Sequence, residues 1–279
     1  MSRPIDIGRY ELKYALPLAM HDAVLDLAGP SLERDPFSMD LGGGIRGYEV
    51  HSLYLDTPRL DDFYERLAEV RVRNRCRVRT YGPRHERSQP VFLENKRKLE
   101  NWVIKARVRV PWNAETWCAS LEPEPWVEAS RTLTGRSRFL ARQFGDLTGQ
   151  GRRVPVSVVH YEREIFMAPD PDGRKVRLTL DRHVRATTRA LRPVGLYDPP
   201  DADLIPPDWM VMELKFSGTE PAWMRRIVRT LGLRAVPVSK FGLSVAWGVA
   251  GRRPHEVRTL MPRPIRRDAV SRANLEPLP

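Results

Sequence analysis

The residues of this chain that could bind an anion occupy every second position of several short segments. In residues 71–79 (RVRNRCRVR) each odd-numbered residue is an arginine. Side chains of a β-strand alternate between its two faces, so Arg71, Arg73, Arg75, Arg77 and Arg79 are predicted to share one face. Guanidinium groups in such a row repel one another unless solvent or an anion lies between them. Taken alone, one basic strand is more typical of a solvated outer face than of a binding site.

The alternation recurs elsewhere, and it mixes acids with bases. Aliphatic residues occupy most of the intervening positions and must be buried against another layer. If helices cover the aliphatic faces, the charges turn inward and form a basic tunnel; if those faces fill a barrel, the charges form its exterior. The few acids beside Lys or Arg favour the tunnel, because a phosphate site with a divalent cation needs both signs of charge. These charged positions are Arg9, Glu11, Lys13, Glu94, Lys96, Lys98, Lys105, Arg107, Arg109, Arg163, Arg177, Asp181, Glu213 and Lys215.

Charge and composition indicate a folded protein with an anionic partner. The chain has 279 residues, 47 Lys and Arg against 35 acids, and a net charge of +12. This balance suits nucleic acid, an acidic membrane surface or a phosphate-rich small molecule, and composition does not choose among them. Cys76 and Cys118 have neither disulfide-framework nor metal-site spacing. With no apolar leader and no run of about 18 apolar residues, we expect a cytoplasmic protein without a membrane span.

Hydrophobic periodicity predicts an α+β fold rich in antiparallel strands. Helical spacing follows Pro17, follows Thr57, and recurs over 125–147, 221–231 and 239–247. Eight strands can close around one elongated ligand, so we expect an eight-stranded, tunnel-like antiparallel barrel with peripheral helices over residues 1–250. Residues 251–279 are predicted to be a poorly ordered basic tail rich in Pro and Arg. The strands are predicted near residues 7–15, 48–56, 69–81, 89–98, 102–111, 154–166, 174–185 and 208–217.

Nine short motifs, in order from residue 9 to about 249, carry a family resemblance. The chain resembles the VTC domain (vacuolar transporter chaperone), the polyphosphate-polymerase branch of the triphosphate tunnel metalloenzymes. Each motif is weak alone, but nine in order make a specific signal. They are residues 9–14 (RYELKY), 52–57 (SLYLDT), 77–82 (RVRTYG), 93–96 (LENK), 104–107 (IKAR), 161–163 (YER), 176–181 (VRLTLD), 212–215 (MELK) and 239–241 (SKF).

The resemblance implies an activity and assigns residues to it. It implies a tunnel that binds ATP and transfers its terminal phosphoryl group onto a growing polyphosphate chain, with Mn²⁺ or Mg²⁺ as cofactor. Glu213 is implied as the metal-holding acid, with Glu11 and Glu94 as further candidates that could equally be counter-ions. The implied catalytic residues are Lys13, Arg77, Arg79, Lys105, Arg163 and Arg177, and the implied substrate-binding residues are Lys96, Tyr161, Lys215, Ser239 and Lys240.

Two other functions stay open at this point. The same fold could hydrolyse triphosphate or polyphosphate, but an activated water calls for a richer carboxylate set than one acid in each motif, so transfer is favoured. A non-catalytic binder of polyphosphate is the other alternative. Nucleic acid is not expected, because the sequence shows no interleaved aromatic platform for bases. The eukaryotic complexes also carry membrane spans and a phosphate-sensor domain, whereas this chain is expected to act alone or with an accessory protein on its basic tail.

Overall fold

The computed structural model describes residues 9–30, 32–83, 91–99, 102–110, 132–149, 152–169, 175–187, 196 and 198–250. Within these residues, twelve strands form one antiparallel sheet. They are β1 (Arg9–Pro17), β2 (Glu33–Arg34), β3 (Met39–Asp40), β4 (Arg46–Asp56), β5 (Val72–Arg73), β6 (Cys76–Tyr81), β7 (Val91–Leu99), β8 (Trp102–Val110), β9 (Val154–Pro169), β10 (Lys175–Thr187), β11 (Ala202–Asp203) and β12 (Trp209–Ser217).

Five α-helices accompany the sheet in the described ranges. They are α1 (His21–Ala28), α2 (Asp61–Leu67), α3 (Gly135–Thr148), α4 (Ala222–Thr230) and α5 (Lys240–Ala250), and a 3₁₀ turn over Leu18–Met20 precedes α1. Each matches a helical pattern of the sequence, although residues 125–131 of the predicted helical pair lie outside the described residues. A search of the described part of the chain finds no helix long and apolar enough to span a membrane.

The eight longer strands are the eight that the sequence predicts, but the sheet is not the predicted closed barrel. Its order is β1-β12-β10-β9-β4-β6-β7, with β8 paired to β7, and the described residues show no hydrogen-bonded pairing of β1 with β8. The total of twelve includes the two-residue strands β2, β3, β5 and β11, which are too short to show an alternating pattern. Periodicity shows which face of a strand is buried but not whether the two outermost strands of a sheet pair with each other.

The predicted row of five arginines is interrupted in the structure. Strand β5 ends at Arg73 and β6 begins at Cys76, so the arginines do not lie on one strand. Arg73 donates to the backbone carbonyl of Val70 at 3.2 Å, and the Arg75 guanidinium lies 5.3 Å from the centre of the Phe241 ring. Only Arg77 and Arg79 remain neighbours on one face of one strand.

The aliphatic faces of most strands point outward against helices. Helices α1 and α4 cover β1, β10 and β12, where Val24 and Ile227 join Leu178, Met212 and Leu214 in one buried cluster. Helix α3 covers β6, β7 and β8 in the same manner, through Ala141 and Phe144. Burying each Val, Leu, Ile, Met or Phe side chain among these contributes about 1.5–3 kcal/mol. The alternating charged residues therefore lie on the opposite, inner face, as the tunnel interpretation requires.

Helix α5 is an exception to the prediction that all helices are peripheral. It lies against the inner face, where Phe241 packs on Tyr54 with ring centres 5.1 Å apart and the hydroxyl groups of Ser157 and Ser244 share a 2.8 Å hydrogen bond. Ser239 accepts a hydrogen bond from the backbone N–H of Gly242 at 3.2 Å and so caps the first turn of α5. An apolar cluster built on α5 thus fills part of the inner face. The predicted tail, residues 251–279, lies outside the described residues.

Candidate functional site

Antiparallel register places the charged residues of neighbouring strands side by side on the inner face. Glu11 and Lys13 of β1 lie opposite Lys215 and Glu213 of β12. Arg177 of β10 lies opposite that same Lys215. On the other half of the sheet, Arg77 is opposite Glu94, and Glu94 is opposite Arg107. The inner face is therefore a continuous surface of mixed charge rather than a set of separate strands.

The sheet curves until its two halves approach each other across the inner face. Five strands separate β1 from β7 in the sheet order, yet Lys96 of β7 acts on Glu11 of β1. Burial opposes ionisation of Glu11, but the contact with Glu213 and the charges of Lys215, Lys13 and Lys96 together hold its pKa below the ordinary value. Glu11 likewise acts back on Lys96, whose pKa is lowered mainly by its own burial. The charged face is therefore concave, with side chains from both halves directed at a common space.

Arg163, Asp181 and Lys240 form the most deeply buried ionic group of this face. The Arg163 guanidinium donates to both carboxylate oxygens of Asp181, at 2.5 and 2.7 Å, and Lys240 Nζ donates to Asp181 Oδ2 at 2.5 Å. Both cations also lie over the ring of Tyr161, at 5.0 and 4.8 Å. Burial of Asp181 favours its neutral form, but Arg163 and Lys240 outweigh this and lower its pKa to about 2. Asp181 is thus a fixed anion that orients two cations.

Glu94 organises a second group of cations on β6 and β8. Arg77 Nε donates to Glu94 Oε2 at 2.5 Å, and Arg107 Nε and Lys105 Nζ lie 3.2 and 3.5 Å from Oε1. Glu94 is almost fully buried, whereas about half of the Lys105 side chain is exposed. Burial opposes the charge of Glu94, but Arg77, Arg79 and Lys105 lower its pKa. One carboxylate therefore orients three cations and leaves this region with an excess of positive charge.

Arg79 and Tyr54 lie deepest beside this second group. Arg79 Nε donates to the Ser52 hydroxyl at 2.9 Å, and the residue is only 5% exposed. The Tyr54 hydroxyl accepts from Arg77 at 3.5 Å. Burial favours the neutral phenol, but Arg77, Arg79 and Arg75 lower the pKa of Tyr54 to about 8. Guanidinium groups therefore dominate the electrostatics of this inner face.

Two of the three predicted metal ligands come together. Glu11 and Glu213 contact each other through their carboxyl groups, and Lys215 Nζ lies 3.4 Å from Glu11 and 2.5 Å from Glu213. Burial opposes the charge of Glu213, but Lys215, Lys13 and Arg163 lower its pKa. A pair of carboxylates combined with substrate phosphates is a donor set that suits Mg²⁺ or Mn²⁺. The pair fits a divalent cation, although no group of three His, Cys, Asp or Glu in the described residues forms a protein-only metal site.

The remaining predicted residues occupy different positions. Glu94 lies with Arg77 rather than with Glu11 and Glu213. Arg177 is partly exposed on the inner face of β10, and Lys13 Nζ donates to the backbone carbonyl of Val238 at 3.2 Å. The hydroxyl of Ser239 is engaged in the α5 cap. All the other predicted cations lie on the inner face.

The structure brings into the site several residues to which the sequence analysis gives no site role. Asp181 and Arg107 are among the alternating charged positions, but neither is assigned a catalytic, substrate-binding or metal-binding role there. Tyr48, Tyr81 and Phe92 lie on three different strands and meet only in the fold, with ring centres 6.0 and 5.6 Å apart. Only a correct strand pairing would have found this aromatic group.

Comparisons with known proteins identify the family. The family model described as the VTC domain matches residues 8–248. Because this match covers most of the 279 residues, the chain belongs to the VTC domain family. A search of curated protein sequences finds no significant match.

Solved structures with a related outline carry little further weight. One, described as a putative adenylyl cyclase from Hippeastrum with a dominant triphosphatase activity, is 16% identical, has a TM-score of 0.46, and the match covers 89% of this chain and 98% of that one. A second, described as an inorganic triphosphatase, is 15% identical with a TM-score of 0.22, covering 78% of this chain and 83% of that one. Likenesses at this level do not by themselves establish a shared fold or activity.

Proposed function

We propose that this chain is a polyphosphate polymerase that transfers the terminal phosphoryl group of ATP onto a polyphosphate chain held against the inner face. One observation carries the proposal: the concave face combines two groups of convergent cations, centred on Asp181 and Glu94, with a separate carboxylate pair, Glu11 and Glu213. A chain of phosphates matches this surface because every one of its repeating units carries negative charge. Membership of the VTC domain family supports the same assignment.

The cations of the face would perform most of the catalysis. Phosphoryl transfer passes through a loose transition state, so positioning the phosphates and neutralising their charge are the main requirements. Arg77 and Arg163 are each held by a carboxylate and can present their remaining N–H groups to phosphate oxygens, while Lys105 and Lys215 act as point charges. Because these groups are already oriented, little reorganisation is needed when substrate binds.

Glu11 and Glu213 would hold the divalent cation of the site. When bound, Mg²⁺ or Mn²⁺ would supply additional charge neutralisation at the phosphate oxygens. Lys215 contacts both carboxylates and so balances their charge. By holding the cation, the two glutamates would also fix where the substrate phosphates lie on the inner face.

No side-chain nucleophile is needed for this transfer. A terminal oxygen of the acceptor chain forms a new bond to the γ-phosphorus of ATP, the bond from that phosphorus to the β-bridging oxygen breaks, and ADP leaves with the electron pair. Cys76 does not compete for this role, since it is fully buried and burial raises its pKa to about 12. A thiol in that state is a poor nucleophile.

Product analysis tests the proposal against the two other functions. The purified full-length chain is incubated with ATP and Mn²⁺, products are resolved on a gel, and ADP and free phosphate are quantified. Long polyphosphate chains with stoichiometric ADP are expected. Free phosphate without chains would replace polymerase by hydrolase, in which water is the acceptor. Tight, salt-sensitive polyphosphate binding without turnover would instead indicate a binding protein.

A further inference from the structure

Three aromatic side chains from three strands meet on the inner face beside the cations. Tyr48 of β4 and Tyr81 of β6 pack edge to face with ring centres 6.0 Å apart. Tyr81 in turn contacts Phe92 of β7 at 5.6 Å, again edge to face. All three are partly exposed rather than buried, although phosphate recognition by itself gives aromatic rings no role. Tyr48 and Tyr81 also pack against the apolar cluster built on α5, and the parts of the three rings that stay exposed form an aromatic surface beside the phosphate-binding face.

Arg107 completes this aromatic group. Its guanidinium lies 3.8 Å from the centre of the Phe92 ring and 5.5 Å from that of Tyr81. The Tyr81 hydroxyl accepts a hydrogen bond from Arg107 at 3.3 Å, and the Arg107 side chain is about 37% exposed. A guanidinium supported by a ring on one side offers its other side as a stacking surface, which nucleic-acid-binding proteins use for bases. We call Tyr48, Tyr81, Phe92 and Arg107 the aromatic ledge.

The register of the strands places the ledge next to the cations of the inner face. Phe92 lies opposite Arg79, and Tyr48 lies opposite Arg163. Tyr81 follows Arg77 by four positions on the same face of β6, which corresponds to about 13 Å along a strand. The ledge therefore adjoins Arg79 and Arg163 directly, and Arg77 lies farther along the strand that carries Tyr81.

We propose that the ledge binds the nucleobase of the donor nucleotide. The base stacks on Arg107 and the neighbouring rings while the triphosphate extends along the wall toward Arg77 and Arg163. This inference rests on the proposed function for its ligand, since only a nucleotide donor combines a triphosphate with an aromatic base. The ledge would then distinguish the donor from the polyphosphate acceptor, which has no base.

Binding measurements separate a base site from a general effect on the wall. Isothermal titration calorimetry with Mg²⁺ compares two ligands, the β,γ-imido analogue of ATP and inorganic tripolyphosphate, on the full-length chain. The variants are Tyr81→Leu and Phe92→Leu, each of which removes a ring but keeps apolar volume. Phe139→Leu is the matched control, because Phe139 is a 60% exposed aromatic residue of α3.

The expected result is a selective loss. Each ledge variant should bind the nucleotide analogue about tenfold more weakly, which is the scale of one base stack. Its affinity for tripolyphosphate should change by less than about twofold. Phe139→Leu should change neither. Equal weakening of both ligands would overturn the proposal in favour of a supporting role for the wall, and unchanged binding of both would place the base elsewhere.

Two further readouts keep the test decisive. Far-ultraviolet circular dichroism and thermal melting show whether each variant is folded, and Phe92→Tyr, which keeps the ring, should restore nucleotide binding. Because binding of an uncleavable analogue needs no transfer, failure of chain synthesis would not affect this result. If the ledge variants lose only nucleotide binding and the parent protein forms no polymer, the base site is supported and the polymerase proposal is wrong.

Discussion

Asp181 accepts two hydrogen bonds from the Arg163 guanidinium, at 2.5 and 2.7 Å. Both residues lie on the charged inner face. The Asp181 side chain is fully buried, and Lys240 of α5 binds the same carboxylate. A buried carboxylate with two cationic partners is costly to disturb, because removing the anion leaves both cations uncompensated. The inner end of the site thus depends on one aspartate that joins β9, β10 and α5.

Asp181→Asn should therefore lower the free energy of unfolding by about 3 kcal/mol, which urea denaturation at pH 7 would measure. Asp203→Asn is the control, since the pair of Asp203 with Arg185 is exposed and should contribute less than about 1 kcal/mol. Equal losses in the two variants would show that Asp181 does not organise its neighbours.

The lowered pKa of Asp181 predicts that the effect of Asp181→Asn on the free energy of unfolding depends on pH. The pKa of Asp181 in the folded state is about 2, below the ordinary value of 3.8. Its ionised form therefore stabilises the fold fully above pH 3.8, and this contribution is lost as the pH falls toward 2. The difference in unfolding free energy between the parent and Asp181→Asn should shrink over that interval. A constant difference would contradict the ion-pair account.

Glu213→Gln should abolish metal-dependent turnover while leaving the fold intact. The substitution removes one anionic ligand of the Glu11–Glu213 pair but keeps the side-chain volume. It also removes the buried partner of Lys215, so thermal stability should fall, while far-ultraviolet circular dichroism should show a folded protein. The check is the rate of ADP release across a Mn²⁺ titration. Glu162→Gln, on the outer face of β9 and paired with Arg182, serves as the control and should keep its rate. Full activity in Glu213→Gln would show that the metal assignment is wrong.

The described fold follows from the sequence to a large extent, because period-2 alternation reports which side of each strand is buried. All eight longer strands and the five helices were predicted near their observed positions. The prediction of one strand carrying all five arginines is wrong between Arg73 and Cys76, where Asn74 and Arg75 belong to neither β5 nor β6. Alternation counts residues and does not detect such an interruption. The position of α5 on the inner face also has no signal in its own sequence.

The site was predictable only in part. Alternation found Arg77, Arg163 and Lys215 because each lies on a regular strand. It could not pair Glu11 with Glu213, or Lys240 with Asp181, since those contacts depend on register and on how the sheet curves. The aromatic ledge was missed for the same reason: its members are spread over 60 positions of chain, between Tyr48 and Arg107.

Arg77→Ala should reduce turnover by at least about a hundredfold, and Lys105→Ala by less. Arg77 is mostly buried and is held by Glu94, whereas about half of Lys105 is exposed and solvent weakens its charge. Removing residues 251–279, which also carry basic charge, should have a much smaller effect than either. The measurement is the rate of polymer formation at saturating ATP. Comparable losses in all three proteins would mean that total charge, rather than a shaped surface, binds the phosphates.

Gly47→Ala should destabilise the protein, because its Cβ would collide with the backbone carbonyl of Arg163 on the neighbouring strand. Gly47 precedes Tyr48, which pairs with Arg163 across β4 and β9. Overpacking of this kind costs about 1–3 kcal/mol. Gly145→Ala is the matched control, since open space surrounds that position in α3, and alanine should stabilise the helix by up to about 1 kcal/mol. Thermal melting of both variants tests the contrast.

His21 predicts a pH dependence that originates away from the inner face. Its Nε2 lies 2.7 Å from the buried Glu164, and Arg34 contacts the same carboxylate at 2.8 Å. The hydrogen bond with Glu164 raises the pKa of His21 above 6.5, although burial opposes the shift. A raised pKa means that His21 stabilises the fold below pH 6.5 and that this contribution is lost as the pH rises through the folded-state value.

His21→Gln should therefore lose more stability at pH 6 than at pH 9. His183→Gln, at an exposed position, serves as the control. The measurement is the urea midpoint of unfolding at pH 6 and at pH 9. An equal loss of stability in His21→Gln at both pH values would show that His21 acts only by packing.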